Sequence, residues 1–154
     1  MYQQFIKKIL QMKTSQNGIN LIKQFEGFEP EIYQDAAGYA TIGYGHLILP
    51  GEDFSQGITR IEARRLLQQD VRVAEAAVMR LIHQPLRQPQ FDALVSFTFN
   101  LGSGALQRST LRRKINRAEH QAVPYELLRW VWAGGRKLRG LVRRRRAEGV
   151  LYFS

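Results

Sequence analysis

Glu26, Asp35 and Thr41 follow one another inside the stretch FEGFEPEIYQDAAGYATIGYGH, residues 25–46. An acid, a second carboxylate and a hydroxyl are the parts needed to cut a bond between two sugars. The reaction calls for a protonated carboxyl against the leaving oxygen and an ionised one near the anomeric carbon. Glu26 falls at the C-terminal end of an expected helix, where the dipole is negative and free carbonyls cluster. Both disfavour ionisation, as does partial burial beside Phe25 and Phe28, and that is the direction a general acid requires. Asp35 opens a D-A-A-G turn in a more solvated setting, where it is expected to stay ionised. Singly, each residue has a plainer reading. A Glu near a helix end is commonly solvated, an Asp before A-A-G forms turns, and a Thr in a strand serves β propensity. Their joint order inside F-E-G-F and T-I-G-Y-G-H is what singles them out.

The elements that must hold these groups can be read from periodicity. Ile19, Leu21, Ile22 and Phe25 give a short helix over 18–25, ending near Gly27. Tyr33, Thr41, Ile42, Tyr44 and Leu47, arranged about the D-A-A-G turn, read as a small antiparallel hairpin sheet. Gly43 and Gly45 mark places where a side chain would block close backbone approach. Thr59-Arg60-Ile61-Glu62 is a capping box, in which Thr and Glu satisfy each other's free amides. It opens a long helix carrying Ala63, Leu66, Leu67, Val71, Ala74, Val78 and Leu81 at helical spacing down to Pro85, a span of about 30 Å. Pro89 opens the next helix, and Gly102 and Gly104 are expected to end it. Short helices are expected after Ser109, after Pro124 and from Leu141.

Composition narrows the chemistry. A chain of 154 residues, 44% hydrophobic, suits one folded domain. It has no cysteine, which excludes disulfides, thiolate metal sites and cysteine nucleophiles. His46, His83 and His120 lie far apart without metal-ligand spacing, so neither metal nor cofactor is expected. A net charge of +10 attracts polyanions: nucleic acid, anionic lipid or the anionic polymers of bacterial envelopes. Met1 to Gln11 is amphipathic, but Lys7 and Lys8 interrupt it well short of a membrane span. It also lacks a signal-peptide core, so cytoplasmic synthesis without autonomous export is the expectation.

The 25–46 stretch resembles the catalytic segment of the phage-type lysozymes, glycoside hydrolase family 24, which includes the T-even and lambdoid phage endolysins. QPQFDALVSFTFNLGSGAL (88–106) and RWVWAGGRKLRGLVRRRRAE (129–148) are similar to two further signatures of that family. The likeness begins at Met12, with MKTSQNGINLIKQFEG, which makes residues 1–11 an extension. The resemblance implies a predominantly helical α+β, lysozyme-like fold of two lobes within a single domain, 1–154. A small α/β lobe (12–58) with an antiparallel sheet, a connecting helix (59–83) and a helical lobe (84–154) would flank a glycan cleft.

It further implies a peptidoglycan-degrading endolysin, a muramidase acting between N-acetylmuramic acid and N-acetylglucosamine. Glu26 would be the proton donor, with Asp35 and Thr41 holding a water on the opposite face so that the anomeric configuration inverts. Asp35 as a covalent nucleophile stays open. Leu47, Phe99 and Thr110 match glycan-contacting positions, with ordinary packing as the plainer reading, and Trp130 and Trp132 divide between sugar stacking and helix packing. His46 and Asp70 would form a structural ion pair, raising the histidine's pKa and lowering the aspartate's. One arginine of the run 143–146 would reach Glu26, the rest being a solvated face. The implied partner is bacterial peptidoglycan, reached from the host cytoplasm once a holin opens the way to the periplasm or wall. Contact with anionic envelope polymers and a monomeric state go with this, and nucleic acid is not the primary partner. Two alternatives remain: a lytic transglycosylase on the same bond, and a non-catalytic cationic protein binding envelope or nucleic acid.

Overall fold

The computed structural model describes residues 1–4 and 12–154, so the amphipathic extension read over 1–11 lies mostly outside the described residues. Helix α1 (Gln16–Glu26) starts where the Ser15 side chain accepts the Gly18 amide and stops at Gly27, whose φ of 69° suits glycine. Its N-terminal end is wired to helices far away in sequence. The Thr14 amide donates to Glu75 Oε2 at 2.6 Å and the Ser15 amide to Asp92 Oδ1 at 2.9 Å. A Cβ at Gly18 would stand 2.9 Å from that of Asp92, so glycine is what permits this close approach.

Three short antiparallel strands follow, β1 (Glu29–Gln34), β2 (Ala40–Gly43) and β3 (His46–Leu47), in the order β1-β2-β3. Register places Tyr33 opposite Thr41 and Thr41 opposite Leu47, a row across one face of the sheet. Alternation sends Ile42 and its partner His46 to the other face, where both are buried and β2 packs on the long helix.

That helix, α2 (Arg60–Leu81), has the predicted capping box: the Thr59 amide donates to Glu62 Oε2 and the Glu62 amide to Thr59 Oγ1. Ala63, Leu67, Val71, Ala74, Val78 and Leu81 form its buried stripe. It ends at Leu81 rather than running to Pro85. The freed Leu81 carbonyl accepts Arg112 Nε at 3.1 Å and Asn116 Nδ2 at 3.0 Å, and Ile82 turns extended. Long-range side chains, invisible to periodicity, set that boundary.

Helix α3 (Gln88–Leu101) opens with Pro89 in its first turn and is buried at every position from Gln90 to Thr98. It packs against α1, α2 and the last helix, making it the centre of the helical side. Gly102, at φ 91°, ends it as expected. Gly104 does not: it sits inside a further short helix, α4 (Ser103–Arg108). α5 (Thr110–Asn116) is capped by Ser109; a 3-10 turn (His120–Ala122) and α6 (Val123–Leu127) follow. A hairpin of β4 (Trp132–Ala133) and β5 (Arg136–Lys137), not expected from the sequence, turns through Gly134–Gly135, both at positive φ as a two-residue hairpin turn requires. α7 (Arg139–Tyr152) closes the chain. The described residues thus form a predominantly helical α+β fold with a small three-stranded antiparallel sheet and a separate two-stranded hairpin.

Candidate active site

Glu26 is the last residue of α1, where the helix hands over to the sheet. Its two oxygens meet different parts of the molecule. Arg144 Nη1 donates to Oε1 at 2.6 Å, while a Cβ on Gly45 would lie 2.7 Å from Oε2. Gly45, in the loop before β3 and at φ 78°, therefore leaves the space that this carboxylate fills. The carboxylate stands at the seam between the sheet and α7. Beside it opens a groove of about 740 Å³ lined by residues that include Phe25, Glu26, Asn100, Leu138 and Arg144. That volume lies within the range of about 300–1,000 Å³ usual for ligand sites.

Asp35 is held by its own turn. Its Oδ1 accepts the amides of Ala37 and Tyr39, both at 2.9 Å, leaving Oδ2 without a hydrogen bond among the described residues. Thr41 donates its hydroxyl to the Tyr39 carbonyl at 2.9 Å, and the same carbonyl accepts the Asp35 amide. The Tyr39 peptide thus fixes Asp35 and Thr41 relative to each other. Thr41 Oγ1, its hydrogen committed, is left with lone pairs to offer. Tyr33 stands opposite Thr41 in the sheet. Its phenol is pushed above the ordinary tyrosine pKa by burial and then by the charges of Glu26, Glu29 and Asp35.

Behind Glu26 the arginine run behaves differently from a solvated face. Arg143 and Arg146 are exposed, whereas Arg144 and Arg145 are buried. Arg145 Nη2 donates to Asn100 Oδ1, and Arg145 Nε lies 2.8 Å from Glu148 Oε1. Glu148, wholly buried, accepts the Ser96 hydroxyl at 2.6 Å. Burial lowers Arg145 to about 10 and raises Glu148 against the pull of both arginines. A neutral Glu148 would strand two buried guanidiniums with Glu26 as their nearby counter-charge, so this packing supports its ionised form. The signal for this network was in the sequence: Leu141, Arg144, Arg145, Glu148 and Tyr152 follow the spacing of one helix face.

His46 Nδ1 lies 2.8 Å from Asp70 Oδ2, and its other nitrogen 2.9 Å from Glu52 Oε1, a partner not expected from the sequence. Burial pushes the His46 pKa down, but hydrogen bonds and charge from the two carboxylates outweigh it, and the net shift is upward. Asp70 departs from expectation: its own burial raises it more than His46 lowers it. The cluster ties β3 to α2 on the sheet face away from Thr41.

The other residues singled out in the sequence are dispersed. Leu47 is half exposed beside Thr41 on β3. Phe99 is partly buried and packed on the core, next in sequence to the groove residue Asn100. Thr110, half-buried, starts α5 and accepts Arg113 Nη2 at 2.9 Å. Asp35, Thr41, Leu47, Phe99 and Thr110 do not line the recess on the Arg144 side of Glu26. Trp130 packs edge-on against Phe97, with centroids 5.6 Å apart, whereas Trp132 on the hairpin is 61% exposed.

Known proteins share this arrangement of chain. The family model for phage lysozyme matches residues 23–148. The endolysin of Bacillus phage B103 is 42% identical over 147 residues, 93% of this chain and 55% of that protein, so the chain spans about half the length of that relative. The endolysin of Salmonella phage P22 is 38% identical over 146 residues, covering 93% of this chain and 99% of its own. Among solved structures, the muramidase domain of SpmX from Asticaccaulis excentricus superposes with a TM-score of 0.85 at 35% identity, covering 94% of this chain and 99% of that one. With a family match that begins three residues before Glu26 and ends on Glu148, the chain belongs to the phage lysozyme family.

Proposed function

We propose that this protein is a peptidoglycan-degrading endolysin, an N-acetylmuramidase that hydrolyses the β-1,4 bond between N-acetylmuramic acid and N-acetylglucosamine. The observation that carries the reading is the placement of Glu26. It sits at a seam beside a groove and is held by Arg144. Membership of the phage lysozyme family and relatives named endolysin and muramidase point to the same substrate.

In this reading Glu26 donates a proton to the glycosidic oxygen as the bond to the anomeric carbon breaks. A water then attacks from the opposite face. Its hydrogens are accepted by the free Asp35 Oδ2 and by the lone pairs of Thr41 Oγ1, whose own hydrogen goes to Tyr39. Asp35 takes the water's proton and the product inverts at the anomeric carbon. Leu47, Phe99 and Thr110 contact the glycan in a cleft between a wall formed by residues 12–58 and one formed by 84–154, joined through 59–83 and distinct from the recess on the Arg144 side of Glu26. His46 and Asp70 serve structure. The protein works as a monomer, is made in the host cytoplasm, reaches the wall after a holin opens the membrane, and adheres to anionic envelope polymers through its positive charge.

Mass spectrometry of peptidoglycan digests tests this reading. Wild type should release muropeptides with reducing N-acetylmuramic acid ends, and Glu26→Gln should lower release by about 10²–10⁴-fold, the usual worth of a general acid. Anhydro-muropeptides would assign a lytic transglycosylase instead. Product NMR showing a retained anomeric configuration would make Asp35 a nucleophile. An intact wall after incubation with folded protein would end the proposal.

A further inference from the structure

Arg144 faces two carboxylates, not one. Its Nη1 holds Glu26 at 2.6 Å, Nη2 reaches the Ser96 carbonyl at 3.4 Å, and Nε lies 3.8 Å from Glu148 Oε2. Nε has no hydrogen-bond partner among the described residues, so the guanidinium keeps a donor in reserve on the Glu148 side. Arg144 is 4% exposed, so water compensates little of its charge. A proton-donating Glu26 must be neutral at the moment of donation, and that state removes the groove-side counter-charge from a buried cation. Glu148 is the group placed to balance it. The Ser96 hydroxyl fixes Oε2 toward Arg144, while Oε1 is turned to Arg145, whose guanidinium sits over the Phe97 ring at 5.2 Å. The four groups form two cations and two anions in alternation from groove to core, and losing either anion leaves the pair of arginines in excess.

We propose that Glu148 is a positioning residue for Glu26, acting through Arg144 as the buried counter-charge that allows the groove carboxyl to be neutral when it donates its proton. The inference rests on the muramidase reading, and wild-type activity decides that reading first. The test uses soluble un-crosslinked peptidoglycan strands, with kcat and KM taken from reducing-end formation, alongside circular dichroism and thermal unfolding. Glu148→Gln preserves size and an acceptor for Ser96 but removes the charge. It should lower kcat about 10-fold or more while KM stays within about 2-fold, since an interaction made only on the way to the transition state is lost.

Glu148→Asp, which keeps the charge, should recover most of the loss. If both variants melt earlier while kcat per folded molecule is unchanged, Glu148 is merely structural and the proposal falls. Should Glu148→Gln fail to fold, Ser96→Ala decides. It frees Oε2 without removing charge and should lower kcat about 3-fold, an effect of the size expected for indirect coupling; an unchanged kcat would overturn the idea. An inactive wild type would overturn the proposed function, and this inference with it.

Discussion

The two carboxylates of the site are held in opposite ways. Asp35 takes both of its side-chain hydrogen bonds from amides two and four residues ahead, so its geometry is written in the D-A-A-G-Y turn itself. Glu26 is held by a guanidinium 118 residues away and by the space above Gly45, and nothing within its own helix orients it. A locally held group keeps its position whenever the turn forms. A group held at long range keeps it only when the whole fold has closed, which couples the proposed acid to global stability.

Substitutions can break that contrast. Arg144→Leu should have the largest effect on stability, about 3 kcal/mol by urea unfolding, near the lower end for breaking a buried ion pair because Glu26 retains some solvent. Asp35→Asn should leave stability unchanged, because the amide oxygen can accept the same two backbone amides. The same variant should lose about 10²-fold in activity, as proton acceptance from the water disappears. Equal destabilisation by the two substitutions would dissolve the distinction between local and long-range holding.

The smallest effect concerns the far face of the sheet. His46 has a raised folded pKa, so the fold favours its protonated form. Its contribution to stability is therefore fully present below the ordinary histidine value of about 6.5 and is lost as pH rises through the folded value. The difference in unfolding free energy between wild type and His46→Asn, followed from pH 5 to 9, should shrink with rising pH. A difference that grows across that interval would contradict the pairing with Asp70 and Glu52.

Legibility followed the same division. The Thr59 capping box, the Pro89 start of α3, the Gly27 stop and the Ser109 cap were all readable, because each is a hydrogen bond or a backbone preference among near neighbours. The end of α2 was not, since Arg112 and Asn116 cap it from another helix. Gly104 was misplaced because a glycine two residues after a helix stop looks like part of that stop, yet Ser103 begins a new turn. Charge alone makes the arginine run a solvated face, and the resemblance that has one member reach Glu26 leaves that member unassigned. Helical spacing turns Arg144 and Arg145 inward, and buried Glu148 meets them there.

From its sequence alone, this protein fixes which chemical groups it brings to a site and the local turns and caps that carry them, because those depend on neighbours a few bonds away. Only the tertiary structure decided that Arg144 is the arginine at Glu26, that Glu148 stands behind it, and that burial rather than His46 sets the direction of Asp70. Those outcomes depend on which distant charges share one desolvated space, and desolvation is a property of the closed fold rather than of any stretch of chain.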